Sequence, residues 1–167
     1  MKTILIAAAA AAALLAAPAF AQAQEVYASA GAGVIDASPV KLGVATFRVG
    51  ANFTPMFGAE AEGSFGISGD EILGVNFDMN TEYAAFVTLR HALGEKGTII
   101  GRVGYATAEF ETSVGPISVT DDQSGLAYGL GIQGQVGDNS AIRLDWTRYN
   151  FDEDADAITV SFVHTFN

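Results

Sequence analysis

Apolar and polar side chains alternate with a period of two along most of the chain after residue 25. Successive side chains of a β-strand point to opposite faces, so this alternation predicts strands that each have one apolar face. The segment 124–136 shows the pattern best, because Leu126, Tyr128 and Leu130 alternate with small or polar residues. Eight strands of about ten residues are predicted, over 26–35, 42–53, 57–67, 80–92, 98–110, 124–136, 141–151 and 157–166.

The connections between these predicted strands are alternately short and mostly longer. Tight turns rich in Gly, Pro, Asn and Asp are predicted at 54–56, 93–97 and 137–140. The other connections are more acidic and are predicted as loops at 36–41, 68–79, 111–123 and 152–156. Short turns at one end and long loops at the other are typical of outer-membrane barrels, with the short turns on the periplasmic side.

The polar faces of the predicted strands carry a balanced set of charges. The whole chain has 8 Lys and Arg residues against 19 Asp and Glu residues, yet this one face has as many arginines as acids. Since buried charges are costly unless they are paired, the balance predicts an ionic network in a sealed lumen. A solvated outer face of a soluble barrel is the alternative. The predicted network consists of Arg48, Glu60, Glu62, Glu82, Arg90, Arg102, Arg143 and Asp145.

Aromatic residues collect near the ends of the predicted strands, on the apolar face. Such positions form the interfacial girdles of membrane barrels. The predicted lipid-facing and girdle residues are Phe53, Phe57, Phe65, Tyr105, Trp146, Phe162 and Phe166.

The first 21 residues have the pattern of a secretory signal peptide. Lys2 precedes an apolar segment at 4–17, Pro18 follows it, and residues 19–21 read Ala-Phe-Ala, a cleavage pattern. We therefore predict a signal peptide over 1–21 and one barrel domain over 22–167. The chain has no Cys, which excludes disulfides and thiol lipidation.

Composition and motifs argue against several other functions. A net charge of −11 is opposite to the basic footprint of a nucleic-acid-binding protein. Neither His91 nor His164 has a spacing to Ser that suggests a hydrolase, so we expect no enzymatic activity, cofactor or metal site. The acidic loop residues lack the Gly and distal Glu of an EF-hand. These loop residues are Asp70, Glu71, Asp121, Asp122, Asp152, Glu153, Asp154 and Asp156.

Three segments carry a resemblance to a known family. They are Gly-Arg-Val-Gly-Tyr at 101–105, Ile-Arg-Leu-Asp-Trp-Thr-Arg-Tyr at 142–149 and Ile-Thr-Val-Ser-Phe-Val-His-Thr-Phe at 158–166. With the eight alternating segments, they resemble the small outer-membrane barrels of the OmpA/OmpX type, in the porin-like or opacity-like group. The resemblance implies an all-β, eight-stranded antiparallel up-and-down transmembrane barrel, with no further domain after it. It also implies the outer membrane of a Gram-negative bacterium.

The same resemblance suggests partners and a role. We expect a monomer that contacts outer-membrane lipid and lipopolysaccharide and is inserted by the barrel-assembly machinery. The expected role is envelope integrity and surface exposure of the acidic loops. A narrow or gated cation-preferring pore, an adhesin acting through those loops and a soluble periplasmic barrel that binds a small hydrophobe are the alternatives.

Overall fold

The fold is described by a computed structural model of residues 23–37, 40–72, 75–114, 117–152 and 154–166, with no side-chain description for 70–75, 77, 114 and 117–119. These residues form nine strands. The strands are β1 (Glu25–Ala37), β2 (Val40–Asn52), β3 (Phe57–Ser68), β4 (Asp70–Ile72), β5 (Val75–Leu93), β6 (Gly97–Val114), β7 (Ile117–Gly137), β8 (Ser140–Asn150) and β9 (Ala155–Phe166).

All pairings between neighbouring strands are antiparallel, and the sheet closes on itself. Its order is β3-β2-β1-β9-β8-β7-β6-β5-β4, and β3 also pairs with β5. Since β3 and β4 both pair with β5, β4 continues β3 after Gly69 and the barrel has eight strand positions. This confirms the predicted closed, eight-stranded antiparallel barrel. In the described residues no helix has the length and apolar character needed to cross a membrane.

The two ends of the barrel differ, as the connection lengths predict. At the short-turn end, residues 53–56, 94–96 and 138–139 join neighbouring strands, and Gly94 takes a φ of 68° that suits glycine. At the opposite, long-hairpin end, β5, β6 and β7 extend to 19, 18 and 21 residues.

Two segments predicted as loops are largely strand. Residues 68–79 include β4 and the start of β5, and residues 111–123 belong mostly to β6 and β7, which stay paired as far as Val114↔Ile117. The prediction was wrong because it required an apolar face. Outside the lipid layer, backbone pairing can continue through residues that are polar on both faces.

The outer surface of the barrel is apolar and its inner surface holds the charges. Leu126 and Leu144 are 62 % and 46 % exposed, whereas Arg102 and Arg143 are 4 % and 0 % exposed. A soluble barrel would have the reverse arrangement. The outward side chains therefore suit contact with lipid acyl chains. Because the sheet is closed, it exposes no unpaired strand edge to the lipid.

The lumen also contains apolar side chains, which the alternation pattern did not predict. A cluster that we call the apolar plug lies mostly toward the long-hairpin end. It consists of Ile35, Val40, Leu42, Val44, Met79, Ala84, Phe86, Ala106, Ala127, Tyr149, Ala155 and Ala157. A smaller cluster of Tyr27, Ala141 and Val163 lies toward the short-turn end.

Candidate functional site

Six charged side chains meet in the middle of the lumen, and we call them the lumen network. They come from inward positions of β2, β3, β6 and β8, and each is at most 4 % exposed. The alternation places them there, because every second residue of a strand points to the lumen. The network consists of Arg48, Glu60, Glu62, Arg102, Arg143 and Asp145.

Glu60 accepts hydrogen bonds from two of the three arginines. Arg102 Nη1 donates to Glu60 Oε1 at 2.9 Å, and Arg143 Nη1 donates to Glu60 Oε2 at 2.6 Å. Arg102 Nη1 also donates to Glu62 Oε2 at 2.8 Å. The two carboxylates of β3 are therefore joined through one guanidinium.

Arg48 joins the two acidic sides of the network. It lies opposite Glu62 in the β2–β3 register and its Nε donates to that carboxylate. Its Nη1 donates to Asp145 Oδ2 at 3.1 Å, and Arg143 Nε donates to the other oxygen of Asp145 at 2.8 Å. Every charge of the network thus has at least two charged partners.

Neutral side chains satisfy several of the remaining atoms. The Tyr27 hydroxyl donates to Glu60 Oε2 at 2.8 Å, and the Tyr149 hydroxyl donates to Glu62 Oε1 at 3.0 Å. Arg48 also donates to Thr159 and Ser161, at 2.9 and 3.0 Å. The sequence prediction missed both tyrosines, although Tyr149 has the same strand parity as the predicted inward residues of β8.

The network is balanced, with three arginines and three carboxylates. In a lumen without bulk water, removing one partner of such a set leaves an uncompensated charge, which costs several kcal/mol. Arg102 also lies 4.4 Å from the centre of the Phe86 ring, so the network contacts the apolar plug directly. This arrangement can hold the barrel in one form, and within the described residues its groups do not converge on a substrate cleft.

Arg90 does not belong to the network, contrary to the prediction. It points inward from β5 but lies near the short-turn end, where its Nη1 is 3.6 Å from Glu25 Oε2. The alternation gives the correct face of the strand. Arg90 nevertheless lies at a different height along the barrel from the lumen network, because neighbouring strands of a barrel are staggered.

Glu82 was also predicted in the network, and it makes no ion pair with an arginine of the described chain. It is 1 % exposed, and neither of its carboxylate oxygens has a hydrogen-bond partner within the described residues. In the β3–β5 register it lies opposite Ser64, one inward position farther from the short-turn end than Glu62. The prediction gave the correct face for Glu82, but the stagger between strands places it at a different height from the arginines.

The aromatic residues of the predicted girdle lie on the outward face of the barrel or at a turn. Six are exposed outward from strands, and Phe53 is half-buried at the turn after β2. The six are Phe57, Phe65, Tyr105, Trp146, Phe162 and Phe166. Trp146 packs edge-on against Tyr128, with ring centres 6.1 Å apart.

The acidic residues of the long-hairpin end are distributed differently from the prediction. Asp121 and Asp122 are exposed on β7 rather than in a loop, and Asp156 lies in β9. Asp154 and Asp156 accept hydrogen bonds from Arg148, both at 2.9 Å.

The other predicted acidic residues are only partly described. Asp152 is exposed in a bend, and Asp70 and Glu71 belong to β4 without described side chains, whereas Glu153 lies outside the described residues. In the described part of the chain, no three His, Asp or Glu side chains are grouped as metal ligands. His91 and His164 are both exposed on the outward face, away from the lumen network.

Comparisons with known proteins agree with this geometry. A family model described as "Outer membrane protein beta-barrel domain" matches residues 7–166. A comparison with curated protein sequences found no match.

Solved structures of small barrels are similar in fold. Ail of Yersinia pestis, solved with the heparin analogue sucrose octasulfate, has 16 % identity and a TM-score of 0.64, covering 85 % of this chain and 98 % of that one. The N-terminal β-barrel domain of Pseudomonas aeruginosa OprF has 10 % identity and a TM-score of 0.66, covering 87 % and 100 %. Neisserial surface protein A has 10 % identity and a TM-score of 0.63, covering 85 % and 96 %.

Proposed function

Because the chain belongs to the family of outer-membrane β-barrel domains, we propose that it is a closed structural barrel that stabilises the envelope and exposes its long hairpins at the cell surface. The lumen network is the observation that carries this proposal. Three arginines and three carboxylates fill the middle of the barrel, and none of them is more than 4 % exposed. A lumen occupied in this way serves stability rather than transport or catalysis.

The apolar plug supports the same function. Tyr149 stacks on Phe151 at 5.4 Å, and Phe151 meets Phe110 edge-on at 6.4 Å, so aromatic rings pack near the long-hairpin end. An ion that crossed the barrel would have to pass this apolar layer and then separate the paired charges. The first step is costly because a desolvated ion gains little from apolar neighbours. The second is costly because it leaves buried charges without their partners.

Planar-bilayer recording tests the closed state. The wild-type barrel is expected to give no channel events across voltage and pH. The double variant Arg143→Ala and Glu60→Ala removes an ion pair from the lumen and is expected to admit water and a small current. The matched control, Arg148→Ala and Asp156→Ala, removes an ion pair from the outside and should stay silent. Regular channel events in the wild type would instead favour the alternative of a gated cation-preferring pore.

We assign the short-turn end to the periplasm and the long-hairpin end to the cell exterior. The length of β5, β6 and β7 supports this orientation, since bacterial barrels have short periplasmic turns and longer outer loops. In this orientation Trp146, Tyr128 and Arg148 lie at the interface between the membrane and the cell exterior. Their aromatic and cationic groups suit the headgroups of lipopolysaccharide, which we propose as the lipid partner, with a monomeric barrel inserted by the barrel-assembly machinery.

An adhesive role of the long hairpins is the second candidate. Asp121 and Asp122 are exposed on the part of β7 that extends beyond its pairing with β8, which begins at Leu126. A surface of this charge would favour cationic partners over sulfated sugars. Replacing both residues by Asn should weaken attachment to a cationic surface if the role exists, and unchanged attachment would remove it.

A further inference from the structure

Glu82 is a buried carboxyl group at the boundary between the lumen network and the apolar plug. It lies one inward position farther from the short-turn end than Glu62, and Ala84, the next inward residue of β5, belongs to the plug. A polar cavity of about 320 Å³ lies at the short-turn end, lined in part by Glu25 and Arg90. Glu82 does not line this cavity, because the lumen network lies between them.

The Glu82 carboxyl group has no partner in its surroundings. Both of its oxygens are buried, and neither has a hydrogen-bond partner within the described residues. Ser64 lies opposite it in the β3–β5 register, but the Ser64 hydroxyl already shares a hydrogen bond of 3.0 Å with Thr46. On the other side Glu82 lies opposite Ala108 of β6, which has no polar side chain. An ionised carboxylate is strongly disfavoured in such a place, because it loses water and gains no partner.

The charged and titratable groups that face Glu82 in the described chain are already bonded to another residue. They are Glu62 of β3, Arg102 of β6, Arg48 of β2 and Tyr149 of β8. Glu62 accepts hydrogen bonds from the other three. Since three arginines and three carboxylates balance in the lumen network, an ionised Glu82 would add one excess negative charge to it. Glu62, on the neighbouring strand, would repel that charge.

A larger cationic partner for Glu82 does not fit the described residues. No three His, Asp or Glu side chains are grouped there as metal ligands. The Nε of Arg102 is a buried donor without a partner among the same residues, so an ion pair with it is the rival arrangement. A proton needs no space and also removes the excess charge, which makes it the ligand that suits the site.

We propose that Glu82 is a neutral carboxylic acid in the folded barrel, and that the chain takes up one proton from the solvent when it folds. The O–H bond that forms on the carboxyl group removes the excess charge from the lumen. The neutral acid can also donate to the Ser64 hydroxyl oxygen, which a carboxylate cannot do. In the unfolded chain this group is solvated and loses its proton at about pH 4.3. Because the folded state then binds the extra proton, stability falls as the pH rises above that value.

This inference rests on the closed lumen of the proposed function, but the two can fail separately. Channel events in the wild type would contradict the closed barrel. A silent barrel in which Glu82 has no effect on the pH dependence of stability would contradict the bound proton alone.

The experiment compares the wild type with Glu82→Gln by urea titration in lipid vesicles, between about pH 5.5 and about pH 7.5, where a solvated Glu is ionised. The Gln amide resembles the neutral acid in shape and cannot ionise. The wild-type unfolding constant, divided by that of Glu82→Gln, is expected to rise with pH. The rise is up to about tenfold per pH unit while the folded barrel keeps its proton. The other carboxyl groups are common to both proteins, so their effects cancel.

Asp121→Asn is the matched control, because it makes the same chemical change at an exposed position of β7. Its ratio to the wild type is expected to stay constant over the same pH range, since this side chain contacts solvent in both states. A ratio for Glu82→Gln that also stays constant, within about twofold, would overturn the proposal, because one bound proton changes it up to tenfold per pH unit.

Infrared difference spectroscopy tests the proton in the folded barrel, without unfolding it. The spectrum of the wild type minus that of Glu82→Gln, near neutral pH, is expected to contain the C=O stretching band of a carboxylic acid. Carboxylate bands in its place would overturn the proposal and would favour the ion pair with Arg102 Nε. Heat-modifiable gel migration confirms that the variant is folded before the spectra are compared.

Discussion

Arginine side chains have three different surroundings in this barrel. Arg143 is enclosed between Glu60 and Asp145, Arg90 faces a polar cavity, and Arg148 pairs with aspartates on the outside. An arginine therefore contributes differently to the free energy of unfolding in each place, because the desolvation of its partners differs.

Arg143→Ala is expected to lower the free energy of unfolding by roughly 3–5 kcal/mol, because it leaves two buried carboxylates with fewer partners. Urea titration in lipid vesicles, followed by the fluorescence of the only Trp, measures this. Arg148→Ala is the control, since it removes the same side chain from a solvated site and should leave the midpoint nearly unchanged. Equal losses in both variants would mean that the lumen charges are solvated.

Glu82→Gln is expected to leave the barrel as stable as the wild type or more stable. The Glu82 carboxylate is buried without an arginine in the described chain, so the charge gains no ion pair there. Glu62→Gln is the matched change one inward position away on the neighbouring strand, and it should destabilise the barrel because Arg48 and Arg102 lose a partner. The same urea titration compares them, and a larger loss in Glu82→Gln would contradict the assignment.

The alternation pattern predicted which face each charged residue occupies, but not its partners. Arg90 and Arg102 both have inward positions, yet only Arg102 reaches Glu60. A period of two carries no information on height, which depends on the stagger between strands and is set by closure of the whole sheet. The prediction therefore found six members of the network and could not exclude the other two.

Strands were predicted well wherever one face meets lipid and poorly elsewhere. The segment 124–136 was predicted correctly, whereas the first part of β7 was assigned to a loop because it is acidic. The apolar plug was missed for a related reason. Leu42 and Val44 face inward among outward apolar neighbours such as Phe47 and Val49, so hydropathy alone does not separate the two faces of β2.

Glycine allows close approach of neighbouring strands at particular points. At Gly104, a Cβ would collide with the carbonyl oxygen of Ala85 and lie 2.9 Å from the Cα of Phe86. At Gly134, on the next strand, a Cβ would have no atom of the described residues within 4 Å. Gly104 is thus constrained by packing, and Gly134 is not.

Gly104→Ala is expected to destabilise the barrel by about 1–3 kcal/mol, since the backbone of β5 would have to move. Gly134→Ala should change stability by less than about 0.5 kcal/mol, as is usual for an open surface position. Parallel urea titrations of the two variants measure the difference. Equal effects would indicate that intrinsic strand propensity, rather than the close approach, decides the outcome.

On the scale of the whole molecule, the barrel has layers. From the short-turn end they are a polar cavity, the lumen network and the apolar plug, followed by the long acidic hairpins. The six charges of the lumen network are balanced, whereas the long hairpins are acidic. The net charge of −11 is therefore carried mainly outside the central lumen network.

Because the chain has no Cys, single cysteines can report the orientation of the barrel. Asp121→Cys lies on the long-hairpin end and should react with a membrane-impermeant maleimide in intact cells. Lys96→Cys lies in a short turn and should react only after the outer membrane is permeabilised. The reverse pattern would place the short turns outside, and gel shift of the labelled protein is sufficient to read it.

The pairing of β1 with β9 determines when the barrel can close during synthesis. Val26 lies opposite Phe166, so β1 and β9 form a seam that cannot close in a chain without β9. A chain that ends before β9 has two unpaired sheet edges and an apolar outer surface. Unpaired edges of this kind promote aggregation. The closed barrel therefore cannot form before β9 is present, and a chain that lacks this strand is expected to aggregate rather than to fold.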